Sequence, residues 1–192
     1  IKALERIESP HVVRIHDVIQ IAPTVFVLLM DYVTGSSVED VLNDRRTLPV
    51  AEAVDIGRQV AAGLCQAHEL GYVHRDVKPS NVMVERLPGG GNFVRILDFG
   101  FVHTLDRARD PNRFEGTIGY SAPEQLSGEP LDHRADIYAL GMTLYEMLAG
   151  RLPWDESAAE FEVLTRKSQG DVPPPTTFYP SIPPQVVDAV MA

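Results

Sequence analysis

A carboxylate, an ammonium group and a side-chain amide crowd into six residues of this 192-residue chain: Asp76, Lys78 and Asn81, within the run His-Arg-Asp-Val-Lys-Pro-Ser-Asn that begins at His74. Asp76 can accept or orient the proton of a hydroxyl. Lys78 can neutralise a phosphoryl group, and the amide oxygen of Asn81 is a hard ligand of the kind Mg²⁺ takes. Pro79 lacks an N–H and its ring collides with a preceding helical turn, so these residues are expected in a loop. Seventeen residues after Asn81 comes Asp98-Phe99-Gly100, directly behind the apolar stretch 94–97. A carboxylate at a strand end, followed by an apolar plug and a glycine that frees the backbone, offers a second Mg²⁺ ligand with a hinge behind it. Gly89, Gly90 and Gly91 separate the apolar pieces 82–84 and 94–97, which predicts a hairpin. A hairpin returns its ends to one place, so Asn81 and Asp98 are expected to share metal ions.

The elements that must hold this loop are legible in the apolar spacing. Ala53, Ile56, Val60, Leu64 and Ala67 recur at helical period, opened by Pro49 and stopped by Gly71. Residues 137–148 are apolar nearly all round, from Ile137 and Tyr138 to Met147 and Leu148, which predicts a helix inside the core ending at Gly150. Residues 12–19 and 24–30 are rich in β-branched side chains and predict two strands joined at Ala22-Pro23. A short helix is expected over 38–42, after the loop at Gly35, Ser36 and Ser37. Leu4 and Ile7 share a helix face that Ser9 and Pro10 stop. The proline-rich stretch 173–184 predicts an extended connector, and 186–191 a further helix.

Composition narrows the function classes. The chain is 44% hydrophobic and 23% charged, an ordinary globular balance that argues against disordered or fibrous classes. Its 17 basic and 27 acidic residues leave a net charge of −10, which repels phosphate backbones and anionic lipids and argues against nucleic-acid or polybasic membrane binding. Cys65 is the single cysteine, so neither an internal disulfide nor a thiolate zinc site is expected, which suits a reducing, cytoplasmic compartment. The longest apolar run, 25–30, is far short of the ~20 residues that span a bilayer.

On the motifs above the chain resembles the eukaryotic-like (Hanks-type) protein kinase superfamily, and within it bacterial serine/threonine protein kinases. Residues 74–81 match the catalytic loop, Asp98-Phe99-Gly100 the Asp-Phe-Gly motif, and Ala122-Pro123-Glu124 the Ala-Pro-Glu motif. Residues 136–141 resemble the start of the buried central helix, whose Asp136 is expected to brace the catalytic loop backbone. The resemblance implies an α+β, two-lobed kinase-like fold: 1–30 a remnant of the small lobe, 31–35 the hinge, and 36–192 a mostly helical large lobe reaching the start of a late helix. It implies ATP and Mg²⁺, and transfer of the γ-phosphoryl group to Ser/Thr hydroxyls of a protein substrate. Asp76 would then be the base and Lys78 would sit on the γ-phosphate, with metal ions at Asn81 and Asp98. Thr117, in the Gly-Thr-Ile-Gly-Tyr segment, would bond Asp76 and Lys78 and shape the substrate site. The Asp31 carbonyl and the Val33 amide would pair with adenine, with Met30 as gatekeeper, Met83 as the adenine floor and Asp40 toward the ribose. His74 and Phe99, with Leu4 and Ile15, fit an apolar column joining the lobes.

Departures from the family pattern carry their own expectations. Between Gly100 and Gly116 the one hydroxyl is Thr104. Arg75 normally pairs with a phosphate on this loop, and Asp106, Asp110 or Glu115 could supply a fixed negative charge instead, so activation is expected without phosphorylation in mid-loop. Ser80 stands where many base-preferring kinases carry Glu, which removes one acidic contact for substrate arginines. No Gly-x-Gly-x-x-Gly and no Val-Ala-x-Lys strand are present, Glu5 and Glu8 are out of register with the helix Glu that partners that Lys, and the partner Arg of Glu124 would lie beyond Ala192. The sequence is therefore expected to be a fragment, inactive by itself. The alternative is a pseudokinase-type scaffold of the same fold, which usually lacks one of the metal or base residues; here Asp76, Lys78, Asn81 and Asp98 are all in place.

Overall fold

The computed structural model describes residues 7–23, 25–99, 117–155 and 158–192. Strands β1 (Ile15–Ala22) and β2 (Val25–Met30) pair antiparallel. The first strand begins later than its composition suggests because residues 11–13 are engaged elsewhere. Val12 lies parallel beside Ile96, with the Val13 N–H donating to the Ile96 carbonyl and the Ile96 N–H to the His11 carbonyl, both at 2.9 Å. This β-bridge ties the first hairpin to a second, three-stranded antiparallel sheet. That sheet has the order β3 (Ser36–Ser37), β4 (Val82–Arg86), β5 (Asn92–Ile96). The glycine-tipped hairpin expected from the sequence is β4–β5.

Helix α1 (Val38–Arg45) runs past the predicted 42 and starts on a reciprocal cap: the Ser37 hydroxyl oxygen accepts from the Asp40 N–H, and the Asp40 carboxylate accepts from the Ser37 N–H. The long helix α2 (Val50–Glu69) packs on β5, and its predicted stripe is the core itself, since Ala53, Ile56, Val60, Leu64 and Ala67 are all at most 1% exposed. It ends as Gly71 requires, with φ +79, the Gly71 N–H on the His68 carbonyl and the Tyr72 N–H on the Ala67 carbonyl. At Gly63 the helix comes close enough to the sheet that a Cβ would stand 2.9 Å from Ile96 Cδ1 and 3.0 Å from the His11 carbonyl oxygen.

Helix α3 (Pro123–Ser127) is short, with Pro123 in its first turn. Helix α4 (Arg134–Ala149) packs against α2 and buries most of its circumference, as its sequence suggests, with one correction: Ile137 is 52% exposed, while the charged Asp136 beside it is wholly buried. Helices α5 (Glu160–Ser168) and α6 (Pro184–Met191) follow. The stretch expected to be extended holds a helical turn at Pro175–Thr177, and Ile182 anchors it at 3% exposure. Proline at the start of a turn loses no hydrogen bond, which is why a proline-rich segment can still close one.

The β1–β2 hairpin buries one face only. Val18, Leu28 and Met30 pack toward the core, whereas Ile19, Ile21, Val25, Val27 and Leu29 are 45–63% exposed. No helix of the described residues is long and apolar enough to cross a membrane. Leu4, Glu5, Gly100, Thr104, Asp106, Asp110, Glu115 and Gly116 lie outside the described residues. Gly63→Val should lower stability by about 1–3 kcal/mol through overpacking against Ile96 and the His11 backbone, read as a reduced urea midpoint at constant slope.

Candidate active site

Four predicted residues meet around one carboxylate. Asp76 Oδ2 is 2.8 Å from Lys78 Nζ and accepts from Asn81 Nδ2 at 3.1 Å. Asn81 Nδ2 also donates to the Asp76 carbonyl at 2.8 Å, which fixes the carboxylate relative to its own backbone. From the far side, the Thr117 hydroxyl stands 3.5 Å from Asp76 Oδ1 and receives a hydrogen bond from Lys78 Nζ at 2.8 Å. The side chains of Asp76 and Lys78 are 35% and 23% exposed, open enough for a substrate yet held on two sides.

The loop is braced from beneath. Asp136 is wholly buried at the start of α4, and its two oxygens accept the backbone N–H groups of His74 and Arg75, each at 2.7 Å. His68 Nε2 is 2.8 Å from the same carboxylate, and since a carboxylate only accepts, that nitrogen carries the hydrogen. The brace holds Arg75 at φ +71, a left-handed conformation that costs a non-glycine residue roughly 1–2 kcal/mol. Gln125 of α3 adds a bond to the Arg75 carbonyl at 2.8 Å.

His74 closes the rear. Its Nε2 faces the Leu97 carbonyl at 2.8 Å, while Nδ1 accepts the Asp76 N–H at 3.2 Å, so the ring is neutral with its hydrogen on Nε2. Phe99 packs edge-on against it with ring centroids 4.6 Å apart, and Ile15 belongs to the same buried cluster. Burial holds the imidazole below its ordinary 6.5, against the opposing pull of Asp136, Asp76 and Asp98.

The hairpin brings the two expected metal-binding residues together at backbone level: the Leu97 N–H donates to the Asn81 carbonyl at 2.8 Å, and Asp98 follows at once, exposed and at φ +56. Among the described residues no group of three or more His, Cys, Asp or Glu could hold an ion by itself. The donors at Asn81 and Asp98 still fit Mg²⁺, which prefers a few hard oxygens and completes its shell with water and phosphate. Asn81 directs its amide nitrogen to Asp76, which leaves the amide oxygen as the atom for a cation.

The predicted nucleotide contacts are placed less uniformly. Asp31 and Val33 follow β2, and no backbone hydrogen bond between described residues uses the Asp31 carbonyl or the Val33 N–H. The Asp31 side chain instead contacts His16 Nε2 at 2.6 Å. Met83 is half-buried, on the face of β4 opposite the buried Val82 and Val84. Asp40 is exposed and caps α1 through Oδ2, which accepts from the Ser37 N–H and hydroxyl, and these bonds hold its carboxyl below the usual range.

Three residues of the site were missed in the sequence. Gln125 had no signal beyond its place in α3. The Tyr120 phenol donates to Glu146 Oε2 at 2.5 Å, with burial and then the Glu146 charge pushing it well above its ordinary value. Lys167 did leave a signal: it stands four residues after Val163, on the stripe that α5 buries.

A carboxylate held between a lysine, an amide and a hydroxyl, beside a hairpin end with hard oxygen donors, has the kinds of group that phosphoryl transfer draws on. The chain matches the protein kinase domain family over residues 1–183 and belongs to it. Its antiparallel sheets and helices are part of the two-lobed, α+β kinase fold. It is 36% identical over 186 residues to the serine/threonine-protein kinase pkn3 of Myxococcus xanthus, covering 93% of this chain and 34% of that protein. It is 39% identical over 163 residues to serine/threonine-protein kinase A of Synechocystis, covering 80% and 31%, and 36% identical over 189 residues to PknH of Mycobacterium tuberculosis, covering 97% and 29%. The chain spans about a third of the length of the curated relatives it matches.

The neutral His74 makes the fold acid-sensitive. The folded chain resists a proton that the unfolded chain takes up below about 6.5, so this contribution is complete above that pH and is lost as pH falls below it. Urea unfolding between about pH 7 and pH 5 should therefore show a larger loss of stability in the wild type than in His74→Asn. Equal losses would remove His74 as the cause.

Proposed function

We propose that this chain is catalytic machinery of a protein serine/threonine kinase, moving the ATP γ-phosphoryl group to a Ser/Thr hydroxyl of a protein. The observation that carries this reading is the convergence of Lys78, Asn81 and Thr117 on Asp76. Asp76 orients the substrate hydroxyl and takes its proton as the oxygen bonds to the γ-phosphorus. The bond from that phosphorus to the β–γ bridging oxygen breaks, and ADP leaves with the electron pair. Lys78, tethered to both Asp76 and Thr117, offsets charge on the transferred group. Thr117 links the base to the segment that would carry the substrate backbone. Asn81 and Asp98 would hold Mg²⁺, which supplies charge neutralisation on the phosphates when bound.

The family relation supports ATP as the nucleotide, and the Asp31 carbonyl and Val33 N–H, which no backbone hydrogen bond among the described residues uses, support an adenine at 31–33. On the same reading Met83 lies under the base, 31–35 is the hinge, 1–30 belongs to the small lobe and 36–192 to the large one. A single free Cys65 agrees with a cytoplasmic setting.

In the full-length protein, Asp76→Asn should lower kcat by about 100-fold or more while leaving ATP affinity nearly intact. Asp98→Asn should weaken Mg·ATP binding as well as turnover. Phosphate transfer to a Ser/Thr peptide and nucleotide titration check both, and near-normal activity in either variant would sink the assignment of that residue.

A further inference from the structure

Lys167 is a lysine with 4% exposure, on the buried side of α5. An ammonium carries three hydrogens, and three carbonyl oxygens of the segment that follows Thr117 receive them: Ile118 at 2.5 Å, Gly119 at 3.0 Å and Ser121 at 2.6 Å. The rings of Trp154 and Tyr138 stand with centroids 4.7 and 5.2 Å from Nζ, presenting electron-rich faces to the charge. Gly119 lies against the Leu152 and Trp154 side chains, 2.7 Å from Leu152 Cδ1 and 3.6 Å from Trp154 Nε1 when measured from where a Cβ would stand. Thr117, at the head of the same segment, bonds Lys78 and faces Asp76.

We propose that Lys167 is a positioning residue for the protein-substrate side of the site: its ammonium gathers the carbonyls of Ile118, Gly119 and Ser121 and so sets Thr117 against Lys78 and Asp76. The role in turnover rests on the kinase reading of that site; the clamp itself does not. A neutral amine has two hydrogens and a lone pair, so on discharge one carbonyl loses its donor and faces that pair. The clamp therefore holds only while Lys167 is charged.

The groups facing Nζ leave the charge of Lys167 to be set by burial. Tyr138 of α4 stays neutral, its phenol pushed up to about 12 by burial with a smaller push from Glu124 of α3. Glu146, also on α4, is taken by the Tyr120 phenol. Trp154 does not titrate, and Arg166 on α5 pairs with Asp171 at 3.2 Å. Burial pulls the Lys167 ammonium down to about 7, within reach of an ordinary pH series.

The test combines amide hydrogen exchange over residues 117–121 with kinetics, on the full-length protein. In the wild type, exchange of those amides should climb more steeply than that of α4 amides between about pH 6 and about pH 9. Lys167→Met should exchange there about tenfold faster at low pH, raise KM for a Ser/Thr peptide about tenfold with KM for ATP little changed, and flatten the fall in kcat/KM for peptide that the wild type shows above about pH 7. A wild-type segment that tracks α4 at every pH, or a folded variant with wild-type exchange, peptide KM and pH profile, would overturn the clamp. The wild-type series needs no variant, so it decides even where the substitution prevents folding. If the wild type transfers no phosphate at all, the kinase reading fails, and exchange alone judges the clamp.

Discussion

The site depends on one buried carboxylate. Asp136 has no exposure, and burying an ion at that depth costs several kcal/mol unless donors replace its water. Here the donors are the His74 and Arg75 N–H groups and the His68 ring, and hydrogen bonds to a charged group contribute roughly 1.5–3 kcal/mol each. The arrangement works in both directions. The carboxylate is tolerated because the loop supplies N–H groups, and the loop keeps its unusual backbone because the carboxylate is there. Arg75 in a left-handed conformation would relax in a free peptide; two short hydrogen bonds and the Gln125 amide hold it.

Once residues 74 and 75 are fixed, Asp76 has little freedom left. Its N–H is taken by His74 Nδ1, its carbonyl by Asn81, and its carboxylate by Asn81 and Lys78. The neutral ring of His74 couples this loop to the β5 exit through Leu97, so the strand end that presents Asp98 is positioned by the same residue that positions Asp76. Phosphoryl transfer asks the protein mainly for positioning and charge neutralisation. A stack of backbone-directed bonds, each to a buried or half-buried partner, is a direct way to supply positioning.

Much of this was legible in the sequence. The stripe from Ala53 to Ala67 and the turns at Gly71 and Gly150 follow from helical period and from glycine's tolerance of positive φ. The β4–β5 hairpin follows from its glycine tip. The cluster of Asp76, Lys78, Asn81 and Thr117 was reachable through motifs, whose spacing is kept because a loop and a hairpin of fixed length bring them together. What was not legible is where local pattern yields to tertiary context. Residues 12–14 read as strand, yet residues 11–13 pair with the β5 exit instead of β2. Ile137 reads as core but points outward, because α4 turns Ala135 and Asp136 inward and each further residue rotates about 100° around the helix, which carries position 137 past the buried arc. Asp40 gives no sign in the sequence of the reciprocal cap it makes with Ser37. Gln125 and Lys167 touch backbone rather than side chains, and a contact to backbone leaves no partner residue type in the sequence to notice.

Asp136 and Lys167 together show how two irregular segments are held without strands or long helices of their own. Each lies on a helix, α4 or α5, and each is almost wholly buried. Each turns a charge to the backbone of one segment: the carboxylate to N–H groups at 74 and 75, the ammonium to carbonyls at 118, 119 and 121. The polarities match because one segment presents its donors inward and the other its acceptors. A buried charge is a demanding partner, since it must be satisfied in full or it opposes the fold, and that demand fixes geometry more narrowly than apolar contact does. The two segments then meet through side chains, with Thr117 between Lys78 and Asp76. The geometry around Asp76 is thus set at second hand. Two helices orient two backbones, and Asp76, Lys78 and Thr117 inherit their places from them.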